Sequence, residues 1–360
     1  MGRPRKHNPL NLPPRVYAKH GAFYYHHPAP DEHWEHLGHD VEKAKKRAAD
    51  IAHGMDDGFG TIAYYLDEFI KASRKRVAIG DLAQRTLDDY IGNIIYLKGF
   101  FGKMYPVGVE APAVGEYLDT MKEAGRAVRA NREKACLSAC FTWMIRKGMG
   151  GVKSNPCIGV KRNKETKRER YVEDNEMRST LTGAPVQVWA LAELVYRTLQ
   201  RPEDIIGWTN SNITKRHVGD KVIRIIRTKQ GKTGAIVDIE ITPEIDAVLA
   251  RVKADKVVGM TLIHRRDFKS YTYDGLSSML KRLQTKVRKE HKKVNGPLTT
   301  MPSWGYYDMK AKGATDMWLS GVPLEQIQVL CAHDSVTTTE IYCKGRWRCI
   351  VSPNKVVVAV

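Results

Sequence analysis

Residues 222–241 read VIRIIRTKQGKTGAIVDIEI. Two runs rich in Val and Ile flank the turn Gly231-Lys232-Thr233-Gly234, the pattern of an antiparallel hairpin with a lysine at its tip. The rest of the region from about 171 to 350 mixes in helical patterns, so a mainly helical unit with one small antiparallel sheet is expected. Taken alone, Lys232 is an ordinary turn lysine.

On the amino-terminal side, KRNKETKRER at 161–170 places six positive charges in ten residues without apolar periodicity. Such a segment is a linker suited to lie along a phosphate backbone. Before it, IAYYLDEFIKAS, TLDDYIGNIIYLKGFFG, VGEYLDTMKEAG and NREKACLSACFTWMIRKG carry apolar residues at three- and four-residue spacing, predicting a four-helix bundle over roughly 60–155. The first fifty-odd residues differ again. Arg15-Val16-Tyr17, Ala22-Phe23-Tyr24-Tyr25 and Trp34–Leu37 read as three short strands, and Asp40 as the cap of a helix that Gly54 ends. The fold class is therefore multidomain α+β. Its parts are an amino-terminal three-stranded sheet with a helix (1–58), a helical bundle (59–160), the basic linker (161–170), a mixed unit (171–350) and a tail (351–360).

Lys and Arg number 59 against 40 for Asp and Glu, a net charge of +19, and this excess points to a polyanionic partner, nucleic acid first. No apolar run is long enough to span a membrane and the basic start lacks a signal peptide's apolar stretch, so a cytoplasmic, nucleoid-associated location is expected. Six cysteines without a CxxC pair are read as thiols. No P-loop or Rossmann glycine pattern is present, against a nucleotide-driven machine. His26, His27, His33, His36 and His39 crowd together but show no acidic or cysteine partner at a familiar ligand spacing, so no metal site is read there.

Three further stretches fall in a fixed order around the hairpin. YRTLQRPEDII at 196–206 contains Arg201 and, three residues on, Asp204; Tyr307-Asp308-Met309-Lys310 follows; GATDMWLSGVPLEQIQVLCAHDSVTTTEIY at 313–342 ends with His333 and Tyr342 nine residues apart. Together they resemble the boxes of the tyrosine recombinases, the phage integrases. The opening GRPRKHNPLNLPPRVYAKHGAFYY is similar to the arm-site-binding domain of the lambda-like members, so the resemblance covers nearly the whole chain.

The resemblance implies roles. Tyr342 would attack a DNA phosphodiester and store its energy as a 3′-phosphotyrosyl link. Arg201, with Asp204 as its acidic companion, would hold phosphate oxygens through a planar fork, Lys232 would protonate the leaving 5′ oxygen, and His333 would donate to the phosphate or handle a proton. Arg3, Arg5, Lys6, Arg74, Lys75, Arg76, Arg129, Arg132, Lys161, Arg162, Lys164, Lys167 and Arg168 are candidate DNA contacts. The implied partners are double-stranded attachment-site DNA, three further copies of the chain in a synaptic tetramer, a host DNA-bending protein and an excisionase. No metal or nucleotide cofactor is implied.

The sequence departs from the family pattern at His-x-x-Arg, where Tyr307 and Lys310 stand instead. A phenol is a poor proton shuttle, and a lysine keeps the charge but loses the bidentate fork. Ala332 also replaces the usual glycine before His333 and would be strained if that position needs a positive φ. An impaired relative that binds DNA without completing recombination is one alternative; a type IB topoisomerase-like enzyme and a plain transcription factor are others.

Overall fold

The computed structural model describes residues 8–27, 32–52, 60–166, 170–254, 259–296 and 301–343. Arg3, Arg5, Lys6, Lys167, Arg168, Gly54 and the tail fall outside the described residues. The chain divides into two compact units, Met1–Thr166 and Lys167–Val360. Both have the α+β make-up expected.

In the first unit, β1 (Val16–Lys19), β2 (Ala22–His26) and β3 (Trp34–Gly38) form an antiparallel sheet in that order. Alternation along β1 and β2 turns Val16, Phe23 and Tyr25 inward, onto Ala44 and Ala48 of α1 (Val41–Ala52). Asp40 does cap this helix, its Oδ1 accepting from the Glu42 and Lys43 backbone N–H at 2.9 and 3.0 Å. The bundle follows as α2 (Ile62–Ala78), α3 (Gln84–Phe101), α4 (Ala111–Glu123) and α5 (Ala127–Lys147). Leu66, Leu97, Phe101, Leu137 and Phe141 interlock in its core, each burial contributing about 1.5–3 kcal/mol. Within that core the carboxylate of Glu133 is fully buried, accepting from Tyr117 and Arg126 at 2.6 Å each.

The second unit contains α6 (Asp174–Leu181), α7 (Val186–Thr198), α8 (Pro202–Ile206), β4 (Ile213–Val218), β5 (Lys221–Lys229), β6 (Ile236–Glu240), α9 (Pro243–Lys253), α10 (Tyr273–Asn295), α11 (Tyr306–Leu319), α12 (Leu324–Cys331) and α13 (Val336–Cys343). The hairpin is present as β5–β6, closing with the pair Lys229↔Ile236, so Lys232 sits at its tip. It carries a third antiparallel strand, β4, that the sequence reading did not include. Helix α7 is the hub: Val188, Leu191, Leu194 and Val195 are fully buried against residues such as Trp208, Ile226, Leu276 and Met309. Its closest neighbour is α11. A side chain at Gly313 would run into the carbonyl oxygen of Tyr196 and the side chain of Leu199, so only glycine permits this approach.

No helix among the described residues is long and apolar enough to cross a membrane. Cys136, Cys140, Cys157, Cys331 and Cys343 are buried thiols. Cys349 lies outside the described residues.

Candidate active site

The groups at this site are delivered by helix ends, by the body of α11 and by the tip of the hairpin. Helix α7 stops because Leu199 turns left-handed, at φ 55°, and the chain then runs extended through Arg201 into α8. Helix α12 stops the same way at Ala332, φ 50°, one residue before His333. The positive φ anticipated for Ala332 is therefore present, at a strain of roughly 1–2 kcal/mol.

Between these two ends lies a buried polar network. Gln200 and Gln230 are both fully buried. Gln230 donates to Gln200 Oε1 at 2.8 Å and to the Cys331 carbonyl at 3.1 Å, while its own Oε1 accepts from Arg201 and from Thr233. Gln200 donates to the Leu330 carbonyl at 2.6 Å. Asp204 Oδ1 accepts from the Gly231 backbone N–H at 2.9 Å, and its other oxygen lies 3.9 Å from Arg201. The arginine segment, the root of the hairpin turn and the helix end before His333 are thus locked together by two glutamines and an aspartate. Sequence reasoning named Asp204 and missed both glutamines; their only signal was two amides, each directly before a candidate site segment.

Helix α11 contributes two buried lysines with opposite surroundings. Lys312 is enclosed by partners: its Nζ lies 2.6 Å from Asp174, 3.1 Å from Asp316 and 2.7 Å from the Tyr171 hydroxyl. Tyr171 and Tyr196 donate in turn to Asp316 at 2.6 and 2.8 Å. Burial opposes the Lys312 charge, but these partners outweigh it and hold its pKa above the usual value. Lys310 is as deeply buried, at 2% exposure, yet makes no hydrogen bond or ion pair among the described residues. Burial first, and then the like charge of Arg201, push its pKa down against the weaker pull of Cys331 and Asp204. Its Nζ stands 6.0 Å from the centre of the Tyr342 ring.

His333 donates or accepts at Nδ1 with the buried hydroxyl of Thr339 at 3.0 Å, and its ring lies 5.2 Å from that of Tyr342, centre to centre. Burial first, then Lys310 and Arg201, lower its pKa to about 4, so the ring is neutral at pH 7. Burial raises the Cys331 thiol to about 11 despite the same two cations. Tyr342 is half-buried on α13, and Thr315 of α11 donates to its carbonyl at 3.1 Å.

Arg201, Lys310, His333 and Tyr342, spread over some 140 residues of sequence, therefore meet at one place. The other two candidates do not join them as closely. Lys232 is exposed at the hairpin tip. The Tyr307 hydroxyl donates to Glu203 at 2.7 Å, and burial together with that carboxylate raises its pKa, which removes it as a proton shuttle near neutrality.

Of the DNA-contact candidates, Arg74, Lys75, Arg129, Lys161, Arg162 and Lys164 are exposed; Arg76 is paired with Asp81 and Arg132 with Glu165. A basic face went unread in the sequence: Lys281, Arg282, Lys286, Lys289, Lys292 and Lys293 of α10 are all exposed, and at 100° per residue they fall within an arc of about 140°. Its signal was a run of cations sharing one helical side.

Residues 173–346 match the phage integrase family. The unit that holds the site is thus a domain of that family, the tyrosine recombinases. It is 24% identical over 262 residues to the integrase of Escherichia phage HK022, covering 69% of this chain and 70% of that protein. Its fold is similar to a lambda integrase dimer bound to a COC′ core site, with a TM-score of 0.65 at 19% identity over 97% of this chain and 100% of the other. A lambda integrase tetramer bound to a Holliday junction gives 0.66 at 18% identity, over 96% and 99%.

Proposed function

We propose that this chain recombines DNA site-specifically, integrating a phage or mobile element by breaking and rejoining strands through Tyr342. The observation that carries the proposal is the buried Lys310, without a hydrogen-bond or ion-pair partner among the described residues, beside Arg201, His333 and Tyr342. A protein does not keep a cation in such a place for stability, because desolvation costs more than the site returns; a phosphate oxygen is the partner it lacks. The contrast with Lys312, two residues away and surrounded by acceptors, makes the point locally.

In this mechanism Arg201 and Lys310 hold the nonbridging oxygens of the scissile phosphate, where charge accumulates in the transition state. Neutral His333, fixed at Nδ1 by Thr339, offers Nε2 to a phosphate oxygen or to the phenol proton. Tyr342 Oη bonds to phosphorus as the bond to the 5′ oxygen breaks, and Lys232 swings from the hairpin tip to protonate that oxygen. The linkage formed is a 3′-phosphotyrosine, so a free 5′ hydroxyl of another strand can reverse the step without a nucleotide cofactor. Four copies would exchange strands in pairs through a Holliday junction, with the amino-terminal sheet and the basic faces on DNA. A host DNA-bending protein and an excisionase would assist.

A second reading has its own support. Lys310 lacks the fork of an arginine and Tyr307 is tied to Glu203, which favours a DNA-binding relative that stops short of exchange. Two plasmids bearing the repeat that flanks this gene's element, incubated with the chain in EDTA, separate the two. Recombinant product from the parent supports the recombinase. Product only from Lys310→Arg supports the second reading, and relaxed plasmid without recombinants would instead indicate a topoisomerase.

A further inference from the structure

Away from the catalytic cluster, the amino-terminal sheet brings three ligand-bearing side chains to one end of its middle hairpin. His27 directly follows β2 and His33 directly precedes β3. They face each other across the strands: the His27 backbone N–H donates to the His33 carbonyl at 2.9 Å, and the two rings stack with centres 4.0 Å apart and planes 8° apart. Glu35, two residues beyond His33 and hence on the same face, lies 2.8 Å from His27 Nε2. One donor atom from each of the three falls within 4.8 Å of the others. The acidic partner that seemed missing in the sequence is supplied by the strand alternation itself, as His33-x-Glu35.

We propose that His27, His33 and Glu35 bind one divalent transition-metal ion, with zinc the best match to the ligand set, clamping the loop end of the β2–β3 hairpin. Two imidazoles and a carboxylate are a borderline ligand set that prefers zinc over magnesium or calcium. Donor atoms around a tetrahedral ion with bonds of ~2.1 Å stand about 3.4 Å apart, between the 2.8 Å and the 4.8 Å found here, so side-chain rotation alone can seat the ion. Arg47 of α1 donates to Glu35 Oε1 at 2.8 Å, on the carboxylate oxygen that does not meet His27. Arg47 would also orient Glu35 from behind once the ion is bound, as outer partners of metal ligands do.

The fold gives such an ion something to stabilise. Among the described residues the buried core beneath this sheet is Val16, Phe23, Tyr25, Ala44 and Ala48, two of them alanines, with Leu12, Leu37, Val41 and Ile51 partly buried around it. Small units with so little to bury gain most from a staple. An ion at the hairpin's loop end would fix β2 against β3 where the chain leaves one strand and enters the next, and so hold the sheet in one shape for a partner.

The test uses the full chain without an affinity tag, stripped with chelator and titrated with cobalt(II) and then zinc. One equivalent of cobalt per chain is expected, with the visible absorption of a four-coordinate site, displaced by zinc. Because His33 is exposed, His33→Ala removes a ligand without touching the core, and it should weaken binding by at least about a hundredfold. His33→Cys should keep binding and add a thiolate-to-cobalt band in the near ultraviolet, a gain that misfolding cannot mimic. Absence of stoichiometric binding to the parent, or binding unchanged in His33→Ala, would overturn the proposal.

Discussion

Replacing Lys310 by methionine separates what the site needs for folding from what it needs for chemistry. The side chain is 2% exposed, has no hydrogen bond or ion pair among the described residues, and lies near the like charge of Arg201. Methionine fills nearly the same volume without a charge to desolvate. Removing an uncompensated buried cation should therefore stabilise the second unit by about 1–3 kcal/mol at pH 7. For a unit of this size each kcal/mol raises Tm by ~2–4 °C. The sign with pH follows from the lowered amine pKa. Below that folded value the lysine is charged in both states and the burial cost is full; the cost fades as pH rises toward the unfolded value of 10.5. Calorimetric unfolding at pH 7 and pH 10 should thus show a gap between Lys310→Met and parent that narrows at the higher pH. Cleavage should fall ~10²–10³-fold at the same time, the loss expected when one donor to the developing phosphate charge is removed. A methionine variant less stable than the parent at pH 7 would mean that Lys310 has a counter-charge, and the argument from its isolation would fail.

Three other outcomes follow from the packing around the site. Gly313→Ala forces a methyl group into the Tyr196 carbonyl and the Leu199 side chain, and should cost roughly 3 kcal/mol, read as a drop in the urea midpoint of the second unit; an unchanged midpoint would contradict the close α7–α11 approach. Ala332→Gly relieves the left-handed strain but loosens the unfolded chain, for a net gain of about 0.5–1 kcal/mol, and a loss of stability would contradict it. His333 should titrate near pH 4 in the free chain by histidine NMR. Its folded pKa is depressed, so the unfolded state binds the extra proton between about 6.5 and 4, and stability should decline as pH falls through that window. A midpoint near 6.5 would show an exposed ring.

Local pattern made much of this legible. The three strands, the Asp40 cap and the four bundle helices each followed from residues within a dozen positions of one another. The hairpin did too, because Val and Ile alternate about a glycine-rich turn. Strand β4 did not, since ITKRHV holds four polar residues against two apolar ones and is a strand only because β5 pairs with it. The members of the site could be named from their order in the chain, but not the way they are held. Gln200 and Gln230 touch across thirty residues, and nothing near either one announces a partner. The same holds for the two lysines of α11. In sequence Lys310 and Lys312 look alike; only the fold shows that Asp174, Asp316 and Tyr171 converge on one of them, while the other has no hydrogen-bond or ion-pair partner among the described residues. Ala332 was the exception, a departure whose backbone consequence could be stated in advance.

The central claim is that Tyr342 becomes covalently bound to DNA. The direct measurement incubates the full chain in EDTA with a nicked duplex carrying the element's flanking repeat, so that a cleaved strand diffuses away, and then maps any DNA-linked peptide by mass spectrometry. The account predicts an adduct from the parent, with the 3′-phosphate on Tyr342 and none formed by Tyr342→Phe. An adduct that persists in Tyr342→Phe or maps to another residue, or an adduct from Lys310→Arg alone on DNA that the parent also binds, would contradict it.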